Sequence, residues 1–429
     1  MSSTCTDCTT ADGVDAAIAT AVPPPSSASS PSAARSPWPA VGSIAVGTFV
    51  MVTTEFLPIG LLTDIARTLN VSDGTAGLMV TMPGVLAAFA APMLTVAAGR
   101  IDRRTVMLTL TALLLVSNLL SAFAPDFGTM LVARLLLGFC VGGFWAFAPG
   151  VGTQLVPAAD QARAMSVVLA GISVATVFGV PAGALLGAFA GWRTVFAAAA
   201  VVTLVVLAFQ LWLLPAVPAA RAIRPRDLLV PLTRPLARVG LAAVVLLVAG
   251  HFAAYTYLKP LLQNVFALSA TQVTMLLLAY GASGFVGNFI AGTLMARSIR
   301  LGMVATTVLL AGALVLSTLI GPGFVPAAIV VVAWGIAFGM VPVAATGWML
   351  KAVPDAAEAG QALLVTAFQV AIASGALLGG LVVDGSGIAS AMLMGGAFVL
   401  AAAVVAAAFG RTSSTRLAAG SAGLNGLPE

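Results

Sequence analysis

The stretch from Ala40 to Thr63, AVGSIAVGTFVMVTTEFLPIGLLT, runs for 24 residues with one charge, Glu55. As a helix rising 1.5 Å per residue it would extend about 36 Å, enough to cross a hydrocarbon core of about 30 Å. Its apolar residues do not alternate with polar ones, as they would in a barrel strand. In lipid the backbone finds no partner outside itself, so a helix is the form that spans. Eleven further apolar segments follow, at 75–98, 105–124, 129–152, 164–189, 193–214, 239–259, 270–294, 302–320, 326–350, 361–382 and 387–409. Sixty per cent of the chain is apolar and only 8% charged, against roughly a quarter charged in soluble domains. A soluble protein is excluded.

An even number of spans puts both termini on one side, and charge identifies that side. Arg35, Arg100, Arg103, Arg104, Arg163, Arg221, Arg224, Arg226, Arg234, Arg238, Arg297, Arg300, Lys351, Arg411 and Arg416 all fall with the termini. The opposite loops hold Arg67 and Arg193, with Arg134 and Lys259 near helix ends. By the positive-inside rule both termini are cytoplasmic, as expected of a multi-pass protein of the cell inner membrane. The net charge of +5 therefore reports topology, and no nucleic-acid partner is expected.

The halves repeat. Val156-Pro157 with Ala-Ala-Asp-Gln-Ala after it is echoed by Val353-Pro354 with Asp-Ala-Ala-Glu-Ala, and Gly183-Ala-Leu-Leu-Gly187 by Gly375-Ala-Leu-Leu-Gly379. The reading is an all-α membrane protein of twelve transmembrane helices in two six-helix repeats. Residues 39–214 form an N-terminal bundle, 215–238 a cytoplasmic linker and 239–410 a C-terminal bundle. Residues 1–38 are a Ser/Ala/Pro-rich disordered tail and 411–429 a second cytoplasmic tail. Duplicated bundles around a midplane site suit an alternating-access transporter. Cys5 and Cys8 form a lone C-x-x-C with no second pair to complete a zinc site. No metal, cofactor or enzymatic constellation is expected.

Three charged or titratable residues stand inside spans. Glu55 lies about 14 residues into the first span, roughly 21 Å deep. A carboxylate there is expensive to keep charged, which makes it the first candidate for proton coupling. Arg134 sits at a comparable depth in the fourth span and is expected to face it. His251, the one histidine, lies in the seventh span near the same level. Tyr255 follows it at i+4 on the same face, and Tyr257 and Lys259 extend a polar stripe towards the pore. Trp145 in the fourth span offers a stacking surface for a planar cargo.

These residues resemble the major facilitator superfamily, in its drug:proton antiporter branch with twelve spans. Gly99-Arg100-Ile101-Asp102-Arg103-Arg104 is similar to the family's cytoplasmic gating motif, compressed and without the second glycine. The resemblance implies that Gly99, Asp102, Arg103 and Arg104 form a gate in which the acid braces one conformer. Arg134 and Gly138 match the family's fourth-span arginine motif, with Leu137 where glutamine is common. Gly171, Gly179, Pro181 and Gly183 match the fifth-span antiporter motif, which implies exchange. Thr54-Glu55-Phe56-Leu57-Pro58-Ile59-Gly60-Leu61-Leu62, Gly142-Gly143-Phe144-Trp145-Ala146, Gly191-Trp192-Arg193 and the stretch Phe252–Tyr257 look most like bacterial purine-ribonucleoside efflux pumps. Sugar-efflux relatives share much of the first motif. The resemblance implies a monomeric, proton-coupled antiporter exporting a small organic solute, such as a purine nucleoside or drug-like compound. A sugar exporter of the same fold, or an uncoupled facilitator or channel, is the alternative.

The topology is tested by a cysteine at Arg224. A membrane-impermeant maleimide added to intact cells is expected to leave it unlabelled and to label it after permeabilisation.

Overall fold

In the computed structural model, residues 37–98, 101–218 and 229–409 are described. Gly99, Arg100, Cys5, Cys8, residues 1–36 of the first tail, the whole second tail and the arginines of 219–228 lie outside them, whereas Trp38, read with the first tail, begins a helix. The described chain is helical, and twelve helices are long and apolar enough to cross a membrane. We number them α1 (Trp38–Thr68), α2 (Leu78–Ala97, led by a single turn Asp73–Ala76), α3 (Arg103–Ala122) and α4 (Phe127–Gln154). Helix α5 runs from Gln161 to Ala190 through a π-turn at Ala175–Gly179, and α6 is Trp192–Leu213. The second half comprises α7 (Pro235–Tyr255), α8 (Ala270–Arg297), α9 (Ile299–Leu319), α10 (Phe324–Ala352), α11 (Ala357–Ser386) and α12 (Ile388–Phe409).

Side chains that answer orphan backbone groups punctuate these helices. Asp126 accepts from the Thr129 amide at the start of α4, and Ser269 and Gln272 form a reciprocal capping box on α8. The α5–α6 and α11–α12 connections are each a single glycine, Gly191 at φ +79° and Gly387 at φ +84°. That left-handed conformation strains any residue with a Cβ. Large apolar side chains such as Phe89, Phe189, Phe289 and Leu381 point outward, where the acyl chains take the place of water.

Glycines decide how closely the helices approach. A Cβ on Gly171 would sit 2.5 Å from the Ala45 carbonyl oxygen, and side chains on Gly179, Gly183 and Gly187 would overlap Thr53, Leu57 and Leu61. The antiporter motif is therefore the face by which α5 packs on α1, the helix that carries Glu55. The second half repeats this: Gly375 and Gly379 on α11 pack against Ala249 and Ala253 on α7. Each of these contacts lies 192 residues after its counterpart at Gly183–Leu57 or Gly187–Leu61. The repeat read from sequence thus recurs as the same helix pairing.

Between the halves, α2 packs on α11 and α5 on α8. The repeat exchanges α2 with α8 and α5 with α11, so this is one contact made twice. Gly84 meets the Gln369 carbonyl at mid-depth, and Gly281 meets Thr176 and Val177 at the π-turn of α5. The hydrogen bonds described between the halves lie at mid-depth or on the side opposite the termini. There Asp384 accepts from the Ser72 hydroxyl at 2.6 Å and the Gly74 amide at 3.0 Å. Lys259 pairs with Asp64, and Thr63 donates to the Gln263 amide oxygen at 3.1 Å. One apolar core runs through both halves, joining residues on that side of the first half, such as Leu61, Met79 and Phe196, to the second half, whereas another, around Val50, Leu110 and Phe147, belongs to the first half alone. The molecule is sealed on the side away from its termini.

Gly375→Val should force α7 and α11 apart and cost about 1–3 kcal/mol. Thermal unfolding in detergent is expected to show a lowered melting temperature. Gly312→Val, where a Cβ meets nothing within 4 Å, should leave it unchanged.

Candidate functional site

Pro58 sets the local geometry of α1. A proline has no N–H to give the carbonyl four residues earlier, so the Thr54 carbonyl lacks its helical donor. Arg134 on α4 supplies one: its Nη1 donates to the Thr54 oxygen at 2.9 Å, and its Nη2 to the Ser121 hydroxyl at 3.1 Å. The guanidinium lies 4.9 Å over the Phe196 ring and is fully buried. Asn118 joins the same position, donating to the hydroxyls of Thr54 at 3.3 Å and Thr203 at 3.2 Å. Three other helices of the first half, α3, α4 and α6, thus converge on the turn of α1 that bears Glu55.

Glu55 is 5% exposed and is the only buried carboxylate among the described side chains. Arg134 does not pair with it directly, since no guanidinium nitrogen is within the 4.0 Å of an ion pair. The arginine is engaged by the Thr54 backbone beside it, close enough to act on the carboxylate through its charge. The hydrogen-bond partner of Glu55 comes from the other half: Gln369 Nε2 on α11 donates to Oε1 at 3.5 Å. The next residue, Phe56, stacks on Phe252 of α7 with ring centroids 5.7 Å apart. One turn of α1 therefore touches both faces of the seam.

Beyond Phe252 lies an aromatic cluster from α7, α8 and α10. His251 stacks face to face on Phe338 at 3.7 Å and on Tyr255 at 4.9 Å, and Tyr255 stacks in turn on Tyr280 at 4.9 Å. Trp334 Nε1 donates to His251 Nδ1 at 3.0 Å. Three buried polar atoms here have no partner among the described residues: His251 Nε2, the Tyr280 hydroxyl and Gln369 Oε1.

The other residues singled out by sequence lie elsewhere. Trp145 is half-buried against the first-half core, away from the aromatic cluster. Tyr257 and Lys259 do not continue the face of His251, because α7 ends at Tyr255. The Tyr257 hydroxyl donates to the Ala376 carbonyl at 3.0 Å and reaches Gly74 at 3.4 Å. With Lys259 it belongs to the seal opposite the termini. In the gating motif Asp102 caps its own helix, accepting from the Arg104 amide at 2.8 Å. Arg103 donates to the Ala98 carbonyl at 2.6 Å and lies over Phe147, and Arg104 donates to the Leu211 carbonyl at 2.7 Å. All of these partners lie in the first half. Gln369, Tyr280, Trp334 and Phe338 were not candidates from sequence. Gln369 did carry a signal, as one of the few amide side chains in the middle of a span.

Comparison with known proteins agrees with this architecture. Residues 44–363 match the family model of the Major Facilitator Superfamily. The chain is 34% identical to the purine ribonucleoside efflux pump NepI of Salmonella paratyphi B over 375 residues, covering 87% of this chain and 94% of that protein. The pump of the same name from Shigella sonnei is 33% identical over 374 residues, with the same two coverages. Among solved structures, a bacterial homolog to the human lysosomal transporter Spinster, in an inward-facing and occupied conformation, superposes with a TM-score of 0.69. It covers 87% of this chain and 96% of its own at 14% identity. The human organic anion transporter MFSD10 gives a TM-score of 0.63 at 18% identity, covering 86% of this chain and 99% of its own. At such identities these likenesses speak for the fold alone.

The Arg134–Thr54 bond is tested by a double-mutant cycle. Arg134→Met orphans the Thr54 carbonyl and should cost about 1–3 kcal/mol. Pro58→Ala restores an N–H at position 58, so the same arginine substitution should cost less in that background. The coupling, read from denaturant unfolding in detergent, is expected to be about 0.5–3 kcal/mol.

Proposed function

The chain belongs to the Major Facilitator Superfamily, a family of membrane transporters rather than enzymes, and we propose that it is a proton-coupled antiporter exporting purine nucleosides. The observation that carries the coupling is Glu55, a buried carboxylate whose hydrogen-bond partner, Gln369, sits on the opposite half. The nucleoside cargo is inferred from the likeness to the purine ribonucleoside efflux pumps and from the aromatic cluster beside Glu55, which suits a planar base better than a sugar. With termini cytoplasmic in the inner membrane, the sealed side is periplasmic and this conformer takes up cargo from the cytoplasm. The protein works as a monomer.

In this scheme the ionised Glu55 holds Gln369 by a charge-assisted hydrogen bond, stronger than the neutral equivalent. Arg134, pinned to Thr54, keeps a positive charge near the carboxylate without neutralising it. Cargo enters from the cytoplasm, and the loaded carrier turns to open on the periplasmic side. A proton arriving there neutralises Glu55, weakens its contacts and releases the cargo. The protonated carrier returns, and proton loss to the cytoplasm restores the ionised site. Asp102, with Arg103 and Arg104, closes the cytoplasmic mouth in the opposite conformer. An uncoupled facilitator would have no use for a carboxylate kept at this depth, where its cost is several kcal/mol.

The test is proton release from detergent-solubilised protein on addition of inosine. The parent should release protons, and the release should diminish at alkaline pH, where Glu55 has already lost its proton. Glu55→Gln should release none and lose concentrative efflux in proteoliposomes with an imposed pH gradient, while downhill inosine counterflow survives. Undiminished proton release by Glu55→Gln would place coupling on another residue.

A further inference from the structure

We infer that the aromatic cluster of α7, α8 and α10 is the subsite that recognises the cargo's base, reading a neutral planar heterocycle through His251 Nε2–H and the Tyr280 hydroxyl. The assignment rests on the reading of the chain as a nucleoside carrier, and it gives His251 a role in selectivity rather than in proton transfer.

Trp334 fixes the tautomer of His251. An indole nitrogen can only donate, and Trp334 Nε1 donates to His251 Nδ1 at 3.0 Å. Nδ1 must therefore be the unprotonated nitrogen, which leaves a neutral ring with its hydrogen on Nε2. A cationic imidazole carries hydrogens on both nitrogens and would break this bond. His251 is thus fixed as a single-tautomer hydrogen-bond donor, and that donor has no partner.

The surroundings make an unpartnered donor costly. His251 is 0% exposed and Tyr280 5% exposed, and the Tyr280 hydroxyl also lacks a partner. Buried polar atoms are nearly always hydrogen-bonded in folded proteins, so two orphans in one apolar cluster point to a ligand that completes them. The rings around them lie parallel: His251 on Phe338, His251 on Tyr255, and Tyr255 on Tyr280. A flat heterocycle intercalating here would exchange ring contacts for ring contacts. The cluster carries no formal charge, so a base without charge fits it and an ionised group does not. Phe252 joins it to Phe56, the neighbour of Glu55, so a base seated here lies beside the coupling carboxylate.

The experiment measures Kd and melting temperature in detergent with two probes, inosine and the free base hypoxanthine. Tyr280→Phe keeps the ring and removes only the orphaned hydroxyl. It should weaken both probes about tenfold, the change that 1.4 kcal/mol gives, while the melting temperature stays level or rises. His251→Phe should weaken both probes at least as much, and His251→Gln, which keeps a donor near the position of Nε2, should recover part of the loss. Should His251→Phe not fold, Tyr280→Phe alone decides. A fallen melting temperature with unchanged Kd in Tyr280→Phe would show a packing role and overturn the assignment. So would a parent that binds neither probe. If hypoxanthine binds through Tyr280 but inosine is not carried, the cargo reading fails and the subsite stands. If inosine is carried and both variants bind it like the parent, the subsite fails and the cargo reading stands.

Discussion

A carboxylate buried between two helical halves, with its hydrogen-bond partner on the far half, is the constraint around which the rest is arranged. An ion at this depth is tolerated only if the backbone and side chains about it are held firmly. Pro58 opens the Thr54 carbonyl, Arg134 fills it, and Asn118 ties the Thr54 side chain to α6. The acid is therefore presented from a rigid first half to a Gln369 that can move away with the second. The first half supplies position, and the seam supplies the change.

Glycine makes that seam possible. Side chains on α5 would push it off α1 at Gly171, Gly179, Gly183 and Gly187, and Gly375 and Gly379 do the same service between α11 and α7. Because α5 and α11 each also contact the opposite half, helices that pack through glycine against α1 and α7 are also the ones that meet across the interface. Movement at α5–α8 or α2–α11 is thus conveyed directly to the helices bearing Glu55 and His251. The π-turn at Ala175–Gly179 falls where α5 meets both α1 and Gly281 of α8, and such turns recur at functional positions in helices.

The fold was legible in the sequence because the bilayer imposes a length and a polarity on each span, and those are local properties. The repeat was legible because Gly-Ala-Leu-Leu-Gly occurs twice, and the structure uses both copies for the same contact. Glu55 stood out because an acid in an apolar run is conspicuous. Gln369, Tyr280 and Phe338 did not, since each is unremarkable in its own helix and acquires meaning from neighbours on other spans. Arg134 lies near enough to Glu55 to act on it through its charge, but its hydrogen bond goes to the Thr54 carbonyl that Pro58 leaves without a helical donor, which depth along a helix does not show. Tyr257 and Lys259 were read as a pore stripe by extending helical spacing past Tyr255. The chain turns there, and both residues join the seal instead.

If the ionised Glu55 holds Gln369 across the seam, protonation should loosen that hold and free the empty carrier to pass between its two openings, where the ionised empty carrier stays closed on its sealed side. Spin labels at Thr68 and Ser386, exposed positions on opposite halves of that side, report it directly as a distance distribution measured at alkaline and acidic pH. Acidification is expected to move the parent towards longer distances, and Glu55→Gln to give one distribution at both pH values. A Glu55→Gln protein that still lengthens on acidification as the parent does would contradict it.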